Sequence, residues 1–151
     1  MTALPLRQAG RVIVLDPLDR VLLFRYDDGP PNGRHWSTPG GGLNEGESFA
    51  AGALRELTEE TGWTDVVLGG EVHAHEITMQ YGPRIVRQHE RFFLARVSTP
   101  GRGVVDVGGM HACDGIAAWR WWSLPEIEAS TEAIWPQGLA SLILTVIKTR
   151  T

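Results

Sequence analysis

The sequence predicts an α+β domain, or an α/β sandwich, in which strands lie on either side of one central helix. Two short apolar runs, Arg11–Leu15 and Val21–Phe24, have the length and composition of buried strands. The stretch from Glu47 to Thr61 repeats its apolar residues at helical steps, and two long extended segments follow it. The length of 151 residues suits one globular domain spanning residues 1–151, able to bury roughly two thirds of its unfolded surface.

Taken in order, Arg11–Leu15 and Val21–Phe24 flank the turn Asp16-Pro17-Leu18-Asp19 and are expected to form a hairpin. Asp27 to Gly33 reads as a loop on its Gly, Pro, Asn and Asp content. At Pro39-Gly40-Gly41-Gly42 regular structure must give way to a special backbone path. Between Glu47 and Thr61, Ala50, Ala53, Leu54, Leu57 and Thr61 mark one buried helix face, and Gly62 is placed to end the helix at its C′ position. Val66–Tyr81 and Arg84–Val97 read as long strands joined through Gly82-Pro83. After a loose segment, Ala117–Trp122 reads as a strand, and Leu124–Ala129 and Pro136–Lys148 as two short helices.

Fourteen basic and eighteen acidic residues leave a net charge of −4, which argues against a protein that grips nucleic acid by neutralising phosphates. A small anionic ligand is still compatible, because a bound cation reverses the local field. The single cysteine, Cys113, has no disulfide partner and no second thiol for a zinc site. The first ten residues carry no signal-peptide pattern, and the apolar run Leu139–Ile147 is too short to span a bilayer. These features predict a cytoplasmic protein with no membrane partner.

The chemistry concentrates on the helix. Glu56, Glu59 and Glu60 fall within one arc of roughly 100° on its surface. Such like charges repel, so either a cation sits among them or the face is simply solvated. Hard divalent cations such as magnesium prefer carboxylate oxygens and often bridge to substrate phosphates. The glycine turn just upstream lets backbone approach a ligand closely. Arg55 can hold a neighbouring carboxylate by bidentate hydrogen bonds. Gly52, one turn before Glu56, reads either as clearance for a bulky ligand or as a close backbone contact.

Gly41, then Glu47, then Arg55-Glu56-Leu57-Thr58-Glu59-Glu60-Thr61-Gly62-Trp63 resembles the Nudix box in residue identity and spacing. The last position is the one departure: Trp63 stands where an aliphatic residue is usual. The approach segment His35–Gly42 and the segment Arg120-Trp121-Trp122-Ser123-Leu124 are also similar to those of many members. The resemblance implies a Nudix fold, an α/β/α sandwich around a mixed β-sheet, with the box as a loop–helix–loop. It implies magnesium, with manganese able to substitute, on Glu56, Glu59 and Glu60, and the Gly41 carbonyl as a further ligand. Arg55 would orient a catalytic glutamate, with Glu47 and Gly62 structural. The implied reaction is attack of water on phosphorus in a nucleoside diphosphate derivative: an NTP, a dinucleoside polyphosphate or a nucleotide sugar. Divalent ions serve such chemistry as Lewis acids that also acidify bound water, while a carboxylate takes the proton.

Members differ over which glutamate is the base. Outside the box, Glu90 is the candidate as base or ligand, against the reading of a polar residue on an exposed strand face. Trp36 is a candidate base-stacking residue, set against core packing. Arg87 and Arg91 share a strand face and could form part of a phosphate-binding patch. His73 and His75 share a face too, but no third metal ligand is evident beside them. A catalytically inactive Nudix-like regulatory module is the alternative reading, and a prenyl diphosphate isomerase a weaker one, since Cys113 has no catalytic setting. Substrate choice is expected to sit in the loops Asp27–His35 and Thr99–Asp114. The resemblance also suggests a homodimer.

Overall fold

A computed structural model describes residues 4–29, 33–105 and 115–149. Cys113 and the greater part of the expected specificity loop therefore lie outside the described residues. The strands are β1 (Leu6–Leu15), β2 (Val21–Asp27), β3 (Arg34–Ser37), β4 (Gly40–Gly42), β5 (Glu71–Tyr81), β6 (Arg84–Arg96), β7 (Ile116–Trp122) and β8 (Ala133–Trp135). The helices are α1 (Phe49–Thr61), α2 (Leu124–Ala129) and α3 (Leu139–Lys148). The sheet runs β5-β6-β1-β2-β3-β8, with β4 added to β1 and β7 to β2. It is mixed, since β1 runs parallel to β6 while β5 pairs with β6 antiparallel.

The expected β1–β2 hairpin forms only at its base. The two strands pair at Leu15↔Val21 and then diverge. Within the fork, β3 bonds to β2 and β4 bonds to β1. Asp16 holds the corner: its carboxylate accepts the backbone N–H groups of Leu18, Arg20 and Gly101 at 2.9, 2.9 and 3.1 Å.

Alternation along β1 and β2 builds two cores. Val12, Val14, Leu22 and Phe24 pack with Ala53, Leu57 and Trp63 on the α1 side. Ile13, Leu15, Val21 and Leu23 pack with Leu139 and Ile143 of α3 on the other. These residues are fully or almost fully buried, each worth roughly 1.5–3 kcal/mol for a large aliphatic side chain. Helices thus cover both faces, giving the expected sandwich.

Helix α1 begins at Phe49, two residues later than the apolar pattern suggests. Ser48 is the N-cap, accepting from the Ala51 N–H, because Glu47 is drawn back to the Asn44 N–H and to Arg55. Gly62 ends the helix with φ 78° and donates its N–H to Thr58. Ala50 is exposed rather than buried, while Gly52 and Glu60 join the buried face. A side chain at Gly52 would lie 2.3 Å from Leu43 Cδ2 and 3.0 Å from Glu47 Oε1, so this glycine makes room for the protein itself and not for a ligand.

Three other expectations shift. Strand β5 starts at Glu71, not Val66, because Gly69 and Gly70 make irregular bonds to Leu94 before the ladder settles. Helix α3 starts at Leu139, where Gly138 adopts φ 75°. The segment before it, Ala133–Trp135, forms β8 in parallel with β3. Among the described residues no helix is long and apolar enough to cross a membrane.

Candidate active site

Arg55 is the hub of the α1 carboxylates. Its Nε and Nη2 donate to the two oxygens of Glu47 at 2.8 and 2.9 Å, a bidentate pair that holds the entry loop against the helix. Nη2 also reaches the Gly42 carbonyl at 3.0 Å. Nη1 donates to Glu56 at 3.0 Å and approaches Glu59 at 3.4 Å. Arg55, together with the Asn44 N–H, holds Glu47 at about 2, well below the usual carboxylate range. A guanidinium bound on three sides is fixed in place, and with it the carboxylate of Glu56.

Strand β4 completes the arrangement. A side chain at Gly41 would stand 2.7 to 3.0 Å from the Glu56 carboxyl group, so only glycine lets Glu56 lie against that backbone. Glu60 is buried and accepts the Gly40 N–H at 2.9 Å. The three glutamates do not point at a single spot: Glu56 and Glu59 turn toward Arg55 and Glu60 toward Gly40. Among the described residues no trio of His, Cys, Asp or Glu side chains is drawn together as a ready-made metal cage.

From Gly40 the network passes to the sheet. Arg11 reaches the carbonyls of Thr38 and Gly40 at 3.2 and 3.4 Å, and its Nε donates to Glu90 at 2.8 Å. Glu90 is buried, not on an exposed strand face, and also meets Gln88 Nε2 and His75 Nε2, each at 2.8 Å. Burial alone would push the Glu90 carboxyl up. The neighbouring Arg11 charge and the bonds from His75, Arg11 and Gln88 outweigh it and hold the group at about 2. Gln88 in turn accepts from Arg7.

This polar row floors a cleft of about 830 Å³. It is lined by Arg11 of β1, Gln88 and Glu90 of β6, Ile77 and Met79 of β5, His35 of β3 and Trp135 of β8. The NUDIX domain family model matches residues 5–142, nearly the whole of this arrangement. The chain belongs to the Nudix family.

Among its relatives, the RNA pyrophosphohydrolase of Acidiphilium cryptum (strain JF-5) is 33% identical over 137 residues, covering 85% of this chain and 82% of that one. The crystal structure of the MutT protein from Methanosarcina mazei Go1 superposes with a TM-score of 0.70 at 19% identity, over the full length of both chains. The E. coli dihydroneopterin triphosphate pyrophosphohydrolase gives the same TM-score at 22% identity, covering 93% and 95%. The two structures speak for the Nudix fold, and the family match makes the chain a Nudix pyrophosphohydrolase.

Within this Nudix fold the remaining candidates separate. Trp36 is 5% exposed and packs edge-on against Trp122 at 5.1 Å, so the core takes it and the cleft does not. Arg87 and Arg91 project from the α1 face of β6, opposite Glu90. Arg87 pairs with Glu76 at 3.5 Å, and Arg91 pairs with Glu71 at 3.6 Å while lying over the Phe49 ring. Neither reaches the cleft. His73 and His75 are linked at 3.3 Å, and burial followed by the His75 charge pushes His73 below its ordinary value. Trp63 takes the usual aliphatic place by stacking with Trp121 in the core and donating to the Gly103 carbonyl at 2.9 Å.

Sequence reading missed Arg11, Gln88 and Trp135. Two of them had a signal. Arg11 is a charge opening an otherwise apolar strand, and Gln88 shares the two-residue period of buried Val86, Glu90 and Phe92.

Proposed function

We propose that the protein is a magnesium-dependent hydrolase of a diphosphate linkage in a nucleoside diphosphate derivative, with manganese able to substitute. The observation that carries this is the contact of Glu56 with the backbone of Gly41, beside Glu60 on Gly40. It brings one carboxylate beside the glycine backbone, and Glu59 and Glu60 on the same helix add oxygen donors of the kind a hard cation prefers. Glu56, Glu59 and Glu60 would hold the ion, with the Gly41 carbonyl as a further donor. When bound, magnesium neutralises charge on phosphoryl oxygens and makes a bound water more acidic.

The chain's own residues divide the other tasks. Arg55 fixes Glu56 and leaves Glu59 the most exposed carboxylate of the three. Glu59 and Glu56 are therefore the box candidates to accept the proton of the attacking water. Glu90 is held at about 2 by three partners, which makes it a poor proton acceptor near neutral pH. Its role is to anchor Arg11, and through Arg11 the Thr38–Gly40 backbone. The cleft receives the nucleoside portion.

A second reading has a specific support: similarity to the Acidiphilium cryptum RNA pyrophosphohydrolase over most of both chains. On that reading the substrate is the 5′-triphosphate end of an RNA. The net charge of −4 disfavours long contact with a polyanion, so recognition would be confined to the terminal nucleotides.

The test is phosphate release across (d)NTPs, dinucleoside polyphosphates, nucleotide sugars, ADP-ribose and a 5′-triphosphorylated RNA oligonucleotide, each with magnesium, manganese or EDTA. The proposal expects metal-dependent turnover of a small nucleotide. Faster turnover of the RNA selects the second reading. Tight binding without turnover of any member would make the chain a regulatory module.

A further inference from the structure

We infer that His75 is a positioning residue of the active site: its imidazole fixes the Glu90 carboxylate, and through Glu90 and Arg11 it sets where the Gly40 backbone lies. The kinetic half of this inference rests on the proposed nucleotide hydrolysis, and the structural half stands without it.

The two-residue period of β5 puts His73 and His75 on one face, and the β5–β6 register sets His75 directly across from Glu90. On the other side of Glu90, β1 runs parallel to β6 and brings Arg11, which is itself in register with Gly40 of β4. A row of side chains therefore crosses the sheet from its β5 edge to the glycine strand.

Each link in the row is a hydrogen bond. His73 Nε2 and His75 Nδ1 lie 3.3 Å apart, and His75 Nε2 meets Glu90 Oε1 at 2.8 Å. Glu90 Oε2 accepts from Arg11 at 2.8 Å, and Arg11 reaches the carbonyls of Thr38 and Gly40. Glu90 thus divides its oxygens: Oε2 takes both Arg11 and Gln88, whereas Oε1 takes His75. The residue is 5% exposed, so losing the imidazole strips Oε1 of its partner where water has little access. The carboxylate then gains by turning Oε1 toward the Arg11 and Gln88 donors, and the guanidinium shifts with the carbonyls it holds.

The imidazole is itself held. It stands edge-on to Phe92 at 5.1 Å and nearly perpendicular to the His73 ring at 5.2 Å. On β5 the cleft is lined by Ile77, Thr78, Met79 and Gln80, so His75 lies two residues outside it and acts only through its neighbours. Glu90, held at about 2, has no proton to share near neutral pH, so the hydrogen of their contact belongs to His75 Nε2. A defined tautomer follows, which ring packing alone would leave open.

The first measurement is the tautomer of His75, by nitrogen NMR of histidine-labelled protein in EDTA at about pH 8, where an ordinary imidazole is neutral. A proton on Nε2 is expected, and a ring protonated on Nδ1 alone overturns the inference. The second compares kcat and KM of wild type, His75→Phe and His75→Gln for the best substrate in magnesium. His75→Phe keeps a ring against Phe92 but cannot donate. It should lower kcat by about 10-fold, with KM within about 2-fold of wild type. The glutamine amide donates from near the place of Nε2, so His75→Gln should recover kcat to within about 3-fold of wild type. Equal losses in the two variants overturn the inference, as does wild-type kcat in a folded His75→Phe protein. If His75→Phe fails to fold, His75→Asn takes its place, because the shorter amide ends near the place of Nδ1 and falls short of Glu90. Wild-type protein that is protonated on Nε2 but turns over no nucleotide overturns the underlying proposal instead.

Discussion

Arg11 donates from Nε to Glu90 at 2.8 Å, and the same guanidinium reaches the carbonyls of Thr38 and Gly40. The pair ties the floor of the cleft to the glycine strand on which the box glutamates lie. Gly40 takes φ 143°, and a side chain there would come within 2.3 Å of the Gly10 carbonyl, so the strand can sit against β1 only as glycine. Arg11 holds this backbone from one side and Glu60 from the other.

Replacing Glu90 by Gln leaves Arg11 charged and buried with a weaker partner. Stability should fall by about 2–4 kcal/mol, measured by urea unfolding. Turnover should fall with it, because Gly40 loses its brace. The acidic limb of the pH–rate profile should keep its position, since a group held at about 2 does not titrate there. A limb that moves in this variant would instead make Glu90 the base.

Gly41→Ala separates function from stability. The added carbon meets only the end of a flexible Glu56 side chain, which can swing away, so the cost to folding should be under about 1 kcal/mol. The displaced carboxylate should lower kcat by about 100-fold, the scale of a misplacement of roughly 1 Å. Gly10→Ala is the contrasting variant. Its added carbon meets the Phe49 carbonyl at 2.4 Å, backbone that cannot turn aside. Thermal unfolding should place it about 1–3 kcal/mol or more below wild type.

The box was legible because it is local: helix period, cap and spacing all lie within one stretch of chain, and the observed helix differs by two residues at its start. The two-residue period of β6 also carries the burial of its polar residues, since Gln88 and Glu90 alternate in step with buried Val86 and Phe92. Other features depend on pairing between distant segments. Nothing in Arg11–Leu15 or Val21–Phe24 says that they part after one pair, because the cause is the competing attachment of β4 and β3. Strand β8 is three residues long and exists through β3, so no pattern within Ala133–Trp135 announces it. Trp36 and Trp135 are alike as letters. Burial against Trp122 separates one from the other, which lies open at the cleft.

Glu59→Gln and Glu60→Gln should behave differently, though both remove a carboxylate from the proposed ion site. The Glu59 side chain is 42% exposed, and its contact with Arg55 is long, at 3.4 Å. Its replacement should leave stability within about 0.5 kcal/mol while cutting kcat by two or more orders of magnitude. Glu60 is 2% exposed and accepts the Gly40 N–H. Its replacement should cost turnover and also about 1–3 kcal/mol, because a buried charge-assisted bond is weakened. Steady-state rates beside urea melts distinguish the two. Near-wild-type turnover of Glu59→Gln would remove it from the ion site.

Acid should unfold the protein through the same carboxylates. Glu90 is lowered to about 2 from the ordinary 4.5, and so is Glu47; Asp16, although its burial opposes this, is lowered by the N–H groups and Arg20 around it. A depressed carboxyl contributes stability that is fully present above its unfolded value and is lost as pH falls toward its folded one. Stability should therefore be flat from neutral pH to about 4.5 and fall steeply between there and about 2. Glu90→Gln should be less stable at neutral pH yet lose less on acidification, so the two Tm curves converge. Parallel curves from circular dichroism melts would show that Glu90 does not carry the acid transition.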